Sequence, residues 1–172
     1  MSDAEFKPLN VAVLTVSDTR GEAEDVSGRL LVDSLLEVGH TSIEKVIVKD
    51  DIFAIRAVVS RWIADPSVDA VITTGGTGIT GRDGTPEAVS VLLAKVIDGF
   101  GELFRYLSYQ EIDTSSLQSR ALAGVANSTF VFVLPGSSGA CRLAFNKLIK
   151  AQLDNRTRPC NLVMLMPRLN ET

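Results

Sequence analysis

Three short runs constrain the fold more than anything else in the chain: Asn10–Val16 (NVAVLTV), Val68–Thr73 (VDAVIT) and Phe130–Leu134 (FVFVL). Each is rich in β-branched or aromatic residues and apolar almost throughout, which is the pattern of a strand covered on both faces. Between the first two, Leu30, Leu31, Leu35 and Val38 recur at helical spacing, with Ser27 as the expected N-cap and Gly39 as the stop. Ile43–Val48 reads as a further strand. Ile52, Ile55, Val59, Trp62 and Ile63 form the stripe of a second helix, with Asp50 or Asp51 as its cap. Pro86 opens a third helix at the favoured first position, with Thr85 as N-cap. Phe100–Ile112, Thr114–Ala123 and Cys141–Leu153 read as helices, and the tail from Asn155 is less regular.

Strands alternating with helices predict an α/β fold with a mostly parallel sheet. No repeat, linker or composition shift divides the chain, so residues 1–172 are expected to form one domain. In such sheets ligands bind beyond the carboxyl ends of the strands. Three loops are expected there: Ser17-Asp18-Thr19-Arg20 after the first strand, the Gly-rich loop after the third, and Pro135 to Gly139 after the last.

Composition excludes several function classes. Lys and Arg number 17 against 21 Asp and Glu, a net charge of −4, and no basic run stands out, so nucleic acid is not an expected partner. No apolar stretch is long enough to cross a bilayer, Met1–Asn10 lacks a signal-peptide core, and the cytoplasm is the expected compartment. Cys141 and Cys160 have no metal-type spacing and are expected as free thiols. The single histidine, His40, follows Gly39 at a helix end, so neither a Ser-His-Asp triad nor a His-rich zinc site is expected.

The chemistry concentrates in TTGGTGITGRDGT, residues 73–85. Gly75, Gly76, Gly78 and Gly81 expose backbone N–H groups able to curl around an anion, and Thr73, Thr74, Thr77 and Thr80 add hydroxyls. Gly76, Gly78 and Gly81 spell the dinucleotide pattern G-x-G-x-x-G, the basis of a competing oxidoreductase reading. That pattern belongs after a first strand and runs straight into a helix. Gly76 and Gly81 also have Walker spacing, but Arg82-Asp83 stands where Lys-Ser/Thr belongs. Arg82 is placed to clamp phosphate oxygens. Asp83 either ties a turn or faces a phosphate across a cation such as Mg²⁺. Asp50 and Asp51 stand at the same sheet edge, as a second acidic group or as helix caps.

TVSD, TGGTG with RDGTPEAV, GFGELFR, QSRA and LPGSSGACR occur in this order across nearly the whole chain. Together they resemble the MogA/MoaB family of molybdenum cofactor biosynthesis proteins, with LQSRALAGVAN and QLDNRTRPCN nearer the MoaB branch. The resemblance implies a three-layer αβα sandwich assembling as a homotrimer or homohexamer, with contacts to other proteins of the same biosynthesis. It implies Mg²⁺-dependent adenylylation of molybdopterin by ATP, the pterin phosphate attacking the α-phosphate and releasing pyrophosphate. On this resemblance Asp50 and Asp83 are the essential acidic, metal-holding pair. Thr74, Gly75, Gly76, Thr77 and Gly78 form the nucleotide-contacting loop with Arg82. Ser17, Asp18, Ser119, Arg120, Pro135, Gly136 and Ser137 line the same cleft, Arg120 and the Ser137 loop orienting the pterin phosphate. A non-catalytic molybdopterin- or nucleotide-binding paralogue would use the same residues.

Overall fold

The three apolar runs become the three inner strands of one sheet. A computed structural model describes residues 4–171. It places β1 (Asn10–Val16), β3 (Ala70–Thr74) and β6 (Thr129–Leu134) side by side, buried on both faces. β2 (Thr41–Val48) flanks β1, while β5 (Leu122–Ala126) and the two-residue β4 (Lys95–Val96) flank β6, giving the order β2-β1-β3-β6-β5-β4. β2, β1, β3 and β6 run parallel; β5 is antiparallel to β6, and β4 is antiparallel to β5.

Helices cover both faces. α1 (Val26–Glu37), α4 (Asp98–Ile112) and α5 (Ser138–Ala144) supply Leu31, Leu35, Phe100, Phe104 and Cys141 to one apolar layer. α2 (Ile52–Ala64) and the short α3 (Thr85–Ser90) supply Ile55, Val59, Trp62, Ala88 and Val89 to the other. The architecture is therefore the three-layer αβα sandwich with a mostly parallel sheet. No helix among the described residues is long and apolar enough to cross a membrane.

Several boundaries differ from expectation. Thr114–Ala123 is not a helix: Asp113–Gln118 is a 3₁₀ turn, and Leu122–Ala126 is strand β5. Pairing with β6 through the two-residue Asn127-Ser128 hairpin, both at positive φ, overrides local preference there. The last long helix begins earlier than expected, at Ser138, and passes through a π turn at Phe145–Ile149 into α6 (Lys150–Gln152). Asp25, not Ser27, caps α1, its carboxylate accepting from the Gly28 N–H at 2.9 Å. Gly39 follows the α1 C-cap with φ +92°. His40 is buried, and its Nδ1 accepts from the Leu9 N–H at 3.2 Å.

Candidate functional site

Because β2, β1, β3 and β6 are adjacent and parallel, the segments leaving their carboxyl ends stand along one edge. They are Lys49–Asp51, Ser17–Asp25, Gly75–Gly84 and Pro135–Ser137. Gly75 and Gly76 leave β3 with φ +101° and +65°, conformations that strain any other residue. Side chains there would also collide, Gly75 with the Val16 carbonyl and Gly76 with Thr85 Oγ1 and the Asp50 carboxylate. The Gly75 N–H donates to the Leu134 carbonyl at 3.1 Å, tying the loop to β6.

Thr85 is not the cap of α3. Gly84 takes that place, Thr85 is the first helical residue and Pro86 the second. The buried Thr85 hydroxyl instead donates to the Gly75 carbonyl at 2.8 Å, closing the loop on itself. The residues after Gly81 form a polar turn rather than a helix, which removes the dinucleotide fingerprint and the oxidoreductase reading with it.

The acidic groups fall into distinct settings. Asp51 caps α2 by accepting from the Ala54 N–H at 2.8 Å, which leaves Asp50 free for the cleft. Asp50 Oδ1 accepts from the Gly84 N–H at 3.1 Å, so the carboxylate lies against the Gly-rich loop. Burial raises its pKa, and the charges of Asp83 and Asp18 push the same way against the Gly84 hydrogen bond. Asp83 is half-buried. Its Oδ2 accepts from the Thr80 N–H at 2.9 Å and the Thr80 hydroxyl at 2.5 Å, which hold its pKa below the usual carboxylate value. Asp83 thus ties the turn within its own loop.

Arg82 does not stand open for a phosphate. Its guanidinium grips Asp18 twice, Nη2 to Oδ1 at 2.6 Å and Nε to Oδ2 at 3.0 Å, and this pairing lowers the Asp18 pKa. Asp18 Oδ1 also accepts from the Asp50 N–H at 3.1 Å, so this exposed pair bridges three of the four segments.

Arg120 is likewise engaged. Its guanidinium donates to the carbonyls of Thr77, Gly78 and Asp83 and pairs with Glu87. Thr74 is wholly buried and cannot touch a ligand; its hydroxyl donates to the Pro135 carbonyl at 2.9 Å, joining β3 to the last loop. Ser17 Oγ accepts from the N–H groups of Thr19 and Arg20 and shapes the first loop. Ser137 Oγ accepts from the Ala140 N–H at 3.1 Å as the cap of α5.

Gly76, Thr77, Gly78, Asp83, Ser119, Pro135, Gly136 and Ser137 line one cavity of about 400 Å³, large enough for a small organic ligand. Phe104, Ser108, Ile112 and Gln118 line the same cavity and were not singled out as site residues, although Phe104 lies within GFGELFR and Gln118 opens QSRA. Membership of a motif or a helix pattern does not by itself distinguish cleft from core. Ser27 was also misread. From within α1 its hydroxyl donates to the Gly136 carbonyl at 2.8 Å, which Arg20 Nη1 also approaches at 3.3 Å.

The carboxylates fit a cation held jointly with a ligand. Asp50 is desolvated and crowded by like charge, a condition that a cation relieves. No group of three or more His, Cys, Asp and Glu side chains among the described residues forms a complete metal cage. A few carboxylates completed by substrate phosphates is the usual arrangement for Mg²⁺.

Comparison with known proteins shows the family. The family model described as "Probable molybdopterin binding domain" matches residues 12–155. The chain belongs to the MogA/MoaB family of molybdenum cofactor biosynthesis proteins. It is 55% identical over 157 residues to molybdenum cofactor biosynthesis protein B of Escherichia coli K12, covering 91% of this chain and 92% of that protein. A crystal structure of a molybdenum cofactor biosynthesis protein B superposes with a TM-score of 0.83 at 51% identity, over 86% of this chain and 92% of the other. The tungsten cofactor synthesizing protein MoaB from Pyrococcus furiosus superposes with a TM-score of 0.78 at 37% identity, over 86% of this chain and 93% of the other.

Proposed function

We propose that the chain adenylylates molybdopterin, using ATP and Mg²⁺ and releasing pyrophosphate. The observation that carries this reading is the placement of the Asp50 carboxylate against Gly76 and Gly84 and of the Asp83 carboxylate against Gly78, beside a cleft that Ser137 also lines. Asp50 and Asp83 would hold Mg²⁺, with Asp18 beside them. When bound, the ion neutralises charge on the phosphates.

The residues of the chain do the positioning. The positive-φ Gly75-Gly76 turn packs the loop closely against Val16, Thr85 and Asp50, which sets its backbone beside the cleft where the nucleotide would lie. Gly78 leaves room for the Asp83 carboxylate, since a Cβ there would lie 2.5 Å from Oδ2. Ser119 and the Pro135–Ser137 turn also border the cavity, and there the pterin phosphate would be seated for in-line attack. That phosphate is ionised at neutral pH, so the reaction needs no strong general base, and none stands in the cavity.

Incubation with molybdopterin, ATP and Mg²⁺, with detection of adenylyl-molybdopterin by mass, tests the reading directly. Asp83→Asn, folded and still binding molybdopterin, should form that product at a rate lower by on the order of a hundredfold. Product formation at the wild-type rate would sink the assignment. One observation favours a second reading, a non-catalytic molybdopterin- or nucleotide-binding protein. The Asp83 carboxylate is hydrogen-bonded to Thr80 within its own loop. Pterin binding by calorimetry, without pyrophosphate release from Mg²⁺-ATP, would select it.

Self-association as a homotrimer or homohexamer belongs to the same proposal. Leu103, Tyr106 and Ile112 on α4 are each more than half exposed and give the chain apolar surface for it.

A further inference from the structure

Arg120 has the geometry of a clamp on the loop, not of a ligand contact. Its Nε donates to the Thr77 carbonyl at 3.2 Å and to the Gly78 carbonyl at 2.9 Å. Its Nη2 donates to the Gly78 carbonyl at 2.6 Å and to the Asp83 carbonyl at 3.2 Å. Its Nη1 is held by Glu87 of α3. The side chain is only 30% exposed, and three of its nitrogens have partners within the protein.

These contacts fix which way the loop backbone faces. In a planar trans peptide the carbonyl of one residue and the N–H of the next point in opposite directions. With the Thr77 and Gly78 carbonyls turned onto the guanidinium, the N–H groups of Gly78 and Ile79 are turned away from it. The Asp83 carboxylate lies against Gly78, where a Cβ would stand 2.5 Å from its Oδ2. The same guanidinium holds the main chain of Asp83, so one side chain sets both the amide face and the position of the acidic group.

We infer that Arg120, oriented by Glu87, is a positioning residue that holds the Thr77–Asp83 loop in its ligand-receiving shape. For the ligand class, a Mg²⁺-nucleotide, this rests on the function proposed above. For the clamp itself it does not. Glu87 enters the functional set through this role, although it does not line the cavity.

Lysine keeps the charge of Arg120 but not its planar fork, so Arg120→Lys separates the two roles. A direct phosphate contact would survive that change in large part, whereas a clamp would not. The first readout is amide hydrogen exchange of residues 77–83 in the ligand-free chain. Arg120→Lys should speed exchange there by about tenfold or more while β3 and β6 stay protected. The second is affinity for ATP with Mn²⁺ as the spectroscopic probe, expected to weaken by about 10–100-fold, as when partners that orient metal ligands are removed. Glu87→Gln, which leaves Arg120 in place, should move both readouts in the same direction by less, and it decides the question if Arg120→Lys fails to fold. Wild-type exchange in the loop of the folded variants would overturn the proposal. So would Mn²⁺-ATP affinity unchanged in Arg120→Lys. Faster loop exchange in a protein that never binds Mn²⁺-ATP would leave the clamp standing and remove the adenylyltransferase reading.

Discussion

Asp25 and Asp50 stand at the same edge of the sheet and have opposite fates. Asp25 is wholly buried and fully partnered: it accepts from the Gly28 N–H and the Thr15 hydroxyl, and its Oδ2 lies 2.8 Å from Lys45 Nζ. Burial opposes its charge, but Lys45 and these hydrogen bonds win, and its pKa falls below the ordinary value. Among the described residues the Asp50 carboxylate accepts one hydrogen bond, from Gly84; burial and the charges of Asp83 and Asp18 raise its pKa. One carboxylate is satisfied by the fold. The other is left with burial and like charge opposing its ionisation. The difference separates a residue that holds the edge together from the one that the proposed function gives to the metal.

The largest expected effect tests the satisfied side. Asp25→Ala leaves Lys45 only 14% exposed, with the exposed Glu22 as its remaining partner, and removes the cap of α1. Stability should fall by about 3–5 kcal/mol, read as a lower midpoint in denaturant. A loss below about 1 kcal/mol would mean that Glu22 and solvent replace Asp25, and the contrast with Asp50 would collapse.

How much of this was legible in sequence follows the same division. Continuous apolar runs carry the inner strands in their composition, so β1, β3 and β6 could be read directly. The edge was harder. Leu122–Ala126 contains Ala-Gly-Val-Ala, which has no strong local preference, and only pairing with β6 makes it a strand. Its signal was the Asn127-Ser128 turn, in which Asn tolerates positive φ. The Gly-rich loop announced a site through its glycines. Which charges remain free there was not readable, because it depends on contacts between residues far apart in sequence. Arg82 finds Asp18 and Arg120 finds Glu87 only after the sheet has brought their loops together.

The next effect tests the unsatisfied side. Asp50→Asn preserves an oxygen for the Gly84 N–H while removing a charge that burial disfavours. Adenylyl-molybdopterin formation should drop on the order of a hundredfold, and thermal stability should stay level or rise slightly. A variant that lost activity and also melted well below wild type would show Asp50 to be structural, erasing its difference from Asp25.

The smallest effect is in pH, and its sign differs between the two groups. Asp25, with its lowered pKa, adds stability that is present above its unfolded value and lost as pH falls through its folded one. Asp50, with its raised pKa, works in reverse: its contribution is present below the unfolded value of 3.8 and lost as pH rises through the folded value. The stability advantage of Asp50→Asn should therefore be widest near neutral pH and fade in acid, where wild-type Asp50 is protonated and the two side chains become alike. Melting curves of both proteins from neutral pH down to about pH 3 read this out. An advantage that persisted unchanged into acid would mean that the like charge and burial around Asp50 do not set its energetics, and that the metal-ready character assigned to it has another source.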